Sequence, residues 1–355
     1  MPKFSYLFVL TFSLLSFVVK AQKQDTLSIN LESVKYAYPI SYFNINTEGQ
    51  DLKMAYMDVA STTAPNGRTV MLFHGKNFGG YYWTEVIQAL SNEGFRVIVP
   101  DQIGFGKSSK ALISYSFSQM AEWNKLLLDS LNIDKPIILG HSMGGMLATR
   151  FALQHPERTE KLLLENPIGL EDYKTFVPYV GVEKQYQTEL KSTAQSIKAY
   201  YRTYFTLWKP EYDELVRIAA GVTLSSDYPR WAKVAAMTFM MIYEQPVVYE
   251  FTSLKVPTVL FIGREDRTIV GKGLLTPSQQ AQHGQYQLLG KLTAAKIPGA
   301  KLIEFDGVGH IPHIESPTEF LIALVGSVYS KTRILGVAPK ANFLRSPVAL
   351  KYPLQ

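Results

Sequence analysis

The stretch Gly140-His141-Ser142-Met143-Gly144 is the part of this sequence best equipped for covalent chemistry. It follows an apolar run that reads as a strand and precedes a run that reads as a helix. In that context G-x-S-x-G describes a sharp turn that lifts a serine hydroxyl clear of a sheet. The glycines make room, because Cβ atoms two residues either side of the serine would clash. Ser142 is therefore the candidate nucleophile toward an acyl carbon. The backbone N–H of Met143, at a helix N-terminus, is aimed at any oxyanion formed there. The neighbouring His141 looks like a ready-made base. Consecutive side chains at a strand end point to opposite sides, however, so His141 is expected to face away beneath the turn.

A base must come within about 2.6–3.2 Å of the serine oxygen. The late segment FDGVGHIPHIESP offers two histidines in a glycine-bearing loop between a strand and the final helix. His310 is the preferred base; His313, nearer the helix, is the rival. The acid that orients the base is read as Asp266, just past the strand in LFIGREDRT, which gives the chain order Ser, Asp, His. Glu165, ending the strand KLLLE, and Glu265 are the competing carboxylates. A second oxyanion donor is expected from the loop FHGKNFGG. Lys76 N–H follows the flexible Gly75, and Asn77 is the neighbouring candidate. Asn77 and Phe78 are read as binding residues of the same loop, and His74 as its structural tether.

The elements that must position these residues alternate. RTVMLFHG, FRVIVPD, PIILGHS and TEKLLLENP read as buried strands, with helical runs between them, so the expected class is α/β with a mostly parallel sheet. From about residue 168 to 248 the strand rhythm stops and aromatic residues crowd in at helical spacing. VPTVLFIGRED and AKLIEF then resume it. The expected organisation is a core in two parts, 22–167 and 249–330, interrupted by a helical cap at 168–248. An insertion at that point lies over the strand ends where ligands bind. The cap aromatics either line a pocket for an apolar group or form the cap's own core. The cap arginines Arg202, Arg217 and Arg230 either meet a substrate carboxylate or are solvated.

The ends of the 355-residue chain differ from the body. Residues 1–21 combine Lys3, an apolar and hydroxyl run, and small residues at Val19 and Ala21. This is the pattern of a secretory signal peptide cut after about Ala21, with an uncleaved anchor as the alternative. The chain has no cysteine, which excludes a cysteine-linked lipid and disulfides. The net charge of +6 is concentrated at the ends, because residues 1–21 and the tail 331–355 carry seven basic residues and no acid. The body keeps 29 basic against 30 acidic residues, so a nucleic-acid-binding reading loses its support. Histidines and carboxylates do not cluster at metal-ligand spacing, and neither metal nor cofactor is expected. The expected partner is a small-molecule substrate, with no nucleic acid and no stable membrane span once the leader is removed.

With GHSMGG, the HG before the first core helix, PDQIGFGKS, GREDRT and GHIPHIESP together, the chain resembles the α/β-hydrolases that carry a helical cap, over roughly residues 42–329. The resemblance implies that Ser142 is nucleophile, Asp266 acid and His310 base. It implies an oxyanion hole from Met143 and Lys76, and a structural role for Asp101 in the D-x-x-G-x-G-x-S turn. Serine at 142 separates it from the haloalkane dehalogenases and epoxide hydrolases, which place an aspartate there. HGKNFG and Met143 depart from the HGGPG loop and elbow tryptophan of the proline iminopeptidases. The expected activity is carboxylic ester hydrolysis through an acyl-enzyme on a small or medium apolar substrate, in a secreted or periplasmic protein. The alternatives are amide, peptide or carbon–carbon bond hydrolysis by the same residues, or a non-catalytic binding protein on this scaffold.

Overall fold

The computed structural model describes residues 25–329. The expected leader 1–21 and basic tail 331–355 lie outside the described residues. The chain opens with a hairpin of β1 (Ile40–Thr47) and β2 (Gln50–Val59), paired antiparallel from Ile40↔Met57 to Thr47↔Gln50. It then winds through β3 (Thr69–Phe73), α1 (Thr84–Asn92), β4 (Arg96–Pro100), α2 (Phe117–Ser130), β5 (Ile137–His141), α3 (Met143–Gln154) and β6 (Lys161–Glu165). Four helices follow without a strand: α4 (Gly181–Glu189), α5 (Ala194–Arg202), α6 (Asp213–Val222) and α7 (Tyr228–Glu244). The core resumes with β7 (Thr258–Gly263), α8 (Pro277–Gln282), α9 (Tyr286–Lys296), β8 (Lys301–Phe305), α10 (Pro312–Glu315) and α11 (Pro317–Tyr329).

The strands form one eight-stranded sheet in the order β1-β2-β4-β3-β5-β6-β7-β8. The two pairings that involve β2 are antiparallel and the rest are parallel. Helices cover both faces, so the central strands read as continuous apolar runs. Alternation still decides which side each residue packs on. Val70, Leu72, Leu139 and Leu163 join Val86 and Leu90 of α1 and Phe320 and Leu324 of α11 on one face. Met71, Phe73, Ile138 and Leu164 join Leu127 of α2 and Leu147 of α3 on the other. α2 starts where the Ser116 side chain accepts the Gln119 N–H at 3.1 Å and caps the helix.

The hairpin is an addition to the sequence reading. β1 is largely exposed and lies at the sheet edge, so it lacks the buried-strand signature of β3 or β5. The topology has a simple consequence for chemistry. β3, β5, β6, β7 and β8 are mutually parallel, directly or through a shared neighbour, so the residues following each of them emerge along one edge of the sheet. That edge receives His74-Gly75, Ser142, Asn166, Asp266 and the loop to His310.

Leu139 sits at the centre of this sheet, in register with Leu72 and Leu163, and is fully buried. Leu139→Ala is expected to destabilise the fold by about 2–5 kcal/mol. The drop should appear as a lower urea midpoint at unchanged slope.

Candidate active site

Ser142 occupies the turn between β5 and α3 with φ 56° and ψ −120°, a backbone conformation that a serine enters only when its surroundings enforce it. The enforcement is local. Ser142 N–H donates to the Glu165 carbonyl at 3.1 Å, and its own carbonyl accepts from Gly145 N–H at 2.9 Å and Ile168 N–H at 3.2 Å. α3 also runs very close to β3 and β5. A Cβ on Gly144 would stand 2.2 Å from the Phe73 carbonyl oxygen, and one on Gly140 would stand 2.1 Å from the Gly144 carbonyl oxygen. The glycines are therefore required by the close approach of the helix, as the motif's spacing suggests.

Three residues separated by 44 and 168 positions meet beside this turn. Ser142 Oγ–H donates to His310 Nε2 at 2.9 Å, and His310 Nδ1–H donates to Asp266 Oδ2 at 2.6 Å. All three are buried, with Ser142 at 7% exposure the least so. Burial raises the Asp266 pKa, but attraction to His310 and hydrogen bonds from His310, Thr268 and Asn166 outweigh it and hold the carboxyl below its ordinary value. Asp266 Oδ1 accepts Thr268 N–H at 2.8 Å, and Oδ2 also accepts from Asn166 Nδ2 at 2.9 Å. Asn166 in turn accepts Gly263 N–H at 2.8 Å, so it ties the end of β6 to the end of β7. The sequence reading does not single out Asn166. Its only signal is its place immediately after β6 and before Pro167.

The rival residues go elsewhere. Glu165 accepts both the backbone N–H of His313, at 2.9 Å, and its Nδ1–H, at 2.8 Å. The His313 ring stacks on Trp83 at 4.3 Å. Glu265 is exposed and pairs with Arg267 at 3.8 Å.

His141 turns away from Ser142 Oγ, as the strand geometry requires, yet it is not idle. The His310 carbonyl can only accept, so His141 Nε2–H donates to it at 2.9 Å. Burial, then the nearby His310 and His313, hold the His141 pKa well below its ordinary value, so the ring is neutral and Nδ1 accepts. Its donor is Tyr82 O–H at 3.0 Å, and the same hydroxyl oxygen accepts Gly75 N–H at 2.9 Å. One chain of bonds thus links the loop after β3 to the loop that carries His310. His74 tethers that first loop as expected from sequence: its Nδ1–H donates to the Gly75 carbonyl at 2.9 Å and its Nε2 accepts Gln102 N–H at 3.0 Å. Asp101 is likewise built into its turn, accepting Lys107 N–H and Tyr36 O–H, each at 2.7 Å.

Lys76, Asn77 and Phe78 line a cavity of about 780 Å³ together with Ser142. Among the described residues, the amides of Lys76 and Met143 donate to no protein acceptor. The Lys76 ammonium lies 3.8 Å from Glu189 Oε1 of α4. Asn77 Nδ2 donates to Tyr204 Oη at 2.7 Å, and Tyr201 O–H donates to the Asn77 carbonyl at 3.1 Å. Phe78 stacks on Tyr82 at 4.8 Å.

Tyr204, just after α5, touches both loops. Its ring stacks on His310 at 4.8 Å, and its carbonyl accepts His310 N–H at 2.7 Å. A Cβ on Gly309 would come within 2.3 Å of that carbonyl oxygen, so the approach again depends on a glycine. Glu315 completes the junction, accepting Gly309 N–H on one oxygen and Thr206 N–H on the other, both at 2.6 Å.

The cap aromatics divide between the two expected roles. Tyr200, Tyr201, Tyr204, Trp231 and Phe239 line the cavity. Phe205 stacks on Tyr212 at 4.0 Å, and Trp208 meets both edge-on. Arg217 pairs with Glu214, and Arg230 donates to the Lys110 carbonyl; neither lines the cavity. Among the described residues, no group of three or more His, Asp or Glu is placed to hold a metal ion, and no helix is long and apolar enough to cross a membrane.

Asn166→Ala removes a donor from Asp266 and an acceptor from Gly263. Leaving such buried groups unpaired is expected to cost about 1–3 kcal/mol at neutral pH. The Asp266 part has a definite sign. A carboxyl held below its ordinary value contributes stability above the unfolded-state value of about 3.9 and loses it as pH falls through the lower native value. Urea unfolding of the two proteins should therefore differ most near pH 7 and less in strong acid.

Residues 68–317 match the family described as the alpha/beta hydrolase fold. A solved structure of a probable hydrolytic enzyme from Pseudomonas aeruginosa is 42% identical, covers 87% of this chain and 100% of that chain, and superposes with a TM-score of 0.85. Among curated proteins, a 2-hydroxy-6-oxononadienedioate/2-hydroxy-6-oxononatrienedioate hydrolase of Paraburkholderia phymatum is 37% identical over 127 residues, 35% of this chain and 43% of that protein. A putative carbamate hydrolase of Serratia proteamaculans is 37% identical over 112 residues, 31% of this chain and 42% of that protein. The matches span less than half the length of these two curated relatives. The family match over most of the chain, the structural likeness over 87% of it and the sheet order agree: this chain belongs to the alpha/beta hydrolase fold family.

Proposed function

We propose that this chain is a serine hydrolase that works through an acyl-enzyme and acts on carboxylic esters with a small or medium apolar group. The observation that carries the reading is the hydrogen-bonded series Ser142–His310–Asp266 at the wall of an aromatic-lined cavity. His310 Nε2 takes the Ser142 proton as Oγ attacks the carbonyl carbon. Asp266 keeps the imidazole in the required tautomer and stabilises its charge. The Met143 and Lys76 amides stabilise the oxyanion. His310 then returns the proton to the departing alcohol, and water, deprotonated by the same ring, releases the acid and restores Ser142.

The relatives named for hydrolysis of a 2-hydroxy-6-oxo dienedioate and of a carbamate favour a second reading. In it the same three residues hydrolyse an amide-like or carbon–carbon bond. Export by way of residues 1–21 belongs to the proposal as well, and amino-terminal sequencing of the exported protein should begin near Gln22.

A fluorophosphonate probe and a panel of p-nitrophenyl esters and aminoacyl amides separate these readings. Labelling should occur in the parent protein and vanish in Ser142→Ala. Ester turnover should fall by about 10⁶ in kcat in Ser142→Ala and His310→Ala. Labelling that persists without Ser142 overturns the nucleophile assignment. Activity lost in folded His313→Ala but retained in His310→Ala overturns the base. Amide turnover without ester turnover moves the chain to the second reading.

A further inference from the structure

Five charged residues border the cavity beside Ser142, and their signs are unequal: Lys76, Lys184, Lys191 and Lys272, of which Lys184 and Lys191 are exposed, against Glu189 alone. The asymmetry is local. Outside its two basic ends the chain carries 29 basic and 30 acidic residues, so it is not the overspill of a basic surface. Some lysines elsewhere sit beside acids, as Lys125 does with Asp129, Lys198 with Asp213 and Lys233 with Glu183. Among the described residues Lys184, Lys191 and Lys272 take part in no ion pair, although Lys272 Nζ also donates to the Arg267 carbonyl at 3.1 Å. Glu189 can offset one of the four. It stands 3.8 Å from Lys76 Nζ, beyond hydrogen-bond distance, and already accepts from Gln185 at 3.0 Å.

Much of the remaining wall is apolar and aromatic, including Ile168, Tyr200, Trp231, Phe239 and Ile242, with uncharged polar residues such as Asn77, Gln185 and Ser192 among them. A partly enclosed, low-dielectric cleft lined by one sign of charge focuses its field and concentrates ligands of the opposite sign. An occupant that satisfies both features has an apolar body and carries a negative charge. Lys76 is the lysine nearest the chemistry, because it belongs to the loop beside Ser142.

We propose that the cavity selects anionic amphiphiles, so that the preferred substrate is an acyl compound bearing a carboxylate or comparable anionic group. This rests on the reading of Ser142 as nucleophile only for its hydrolytic part; the charge preference concerns the cavity itself.

The test has a binding arm and a turnover arm. In Ser142→Ala, titration calorimetry should show octanoate binding more tightly than octyltrimethylammonium. The difference should be about tenfold or more at 0.01 M ionic strength, where screening extends about 30 Å, and should shrink toward parity at 1 M, where it extends about 3 Å. Adding Lys184→Gln, Lys191→Gln and Lys272→Gln together should remove most of it. In the protein with Ser142 intact, kcat/KM for mono-p-nitrophenyl adipate should exceed that for p-nitrophenyl hexanoate, and the ratio should fall with salt and in the lysine variants. Equal or tighter binding of the cation, or a preference indifferent to salt and to the three lysines, overturns the proposal. Lysine-dependent octanoate binding with no turnover of either ester supports the cavity's charge preference and defeats the esterase reading instead.

Discussion

The placement of one residue, His310, is the constraint on which the site depends. Its N–H is held by the Tyr204 carbonyl at 2.7 Å and its C=O by His141 Nε2 at 2.9 Å. Its ring is held between Asp266 and Ser142. These four partners come from the cap, the end of β5, the turn after β7 and the elbow before α3. No element of the fold fixes the histidine alone. Each of the four bonds removes freedom that a loop residue otherwise keeps, and a ring that accepts a hydrogen bond at one nitrogen and donates one at the other has its orientation set by them.

The same economy of contacts satisfies many of the buried polar groups around the site, although His313 Nε2 has no hydrogen-bond partner among the described residues. Tyr82 serves as donor to His141 and acceptor from Gly75 with a single hydroxyl. Asn166 serves Asp266 and Gly263 with opposite ends of one amide. Glu165 is absorbed by both nitrogens that His313 offers it. Buried polar groups are costly when left single, and a linked set spreads that requirement over several strand ends. The result is a polar layer along one edge of a sheet whose two faces are otherwise apolar.

Much of this architecture is legible in the sequence because it is periodic or local. The buried strands announce themselves as short apolar runs, and the elbow as glycines at fixed offsets from Ser142. Asp266 and His310 follow strand ends in glycine-bearing loops, where a parallel sheet must bring them to one edge. What stays hidden has no local signature. The strand β1 is half solvated and so lacks an apolar run. Asn166, Tyr82 and Glu315 are ordinary residues in sequence, and each acts across a gap closed only by the fold, as Asn166 and Asp266 do over 100 positions. His141 shows the limit most directly. Strand geometry tells that it faces away from Ser142, but not that its partner there is the carbonyl of His310, 169 positions further on. The sequence favours Asp266 over Glu165, but what Glu165 does instead, binding His313, is legible only in the fold.

The junction at Tyr204 has a consequence for how this protein varies. By chain order residues 204–206 belong to the cap, but by their bonds to Gly307, His310 and Glu315 they belong to the core. The functional border between the two parts therefore does not coincide with the border drawn from secondary structure. The stretch must therefore be matched to the histidine loop it bonds. A chimaera that exchanges the whole insertion would carry over the walls of the cavity and leave behind the latch that aligns its chemistry. One that retains residues 204–206 from the recipient keeps the two in register.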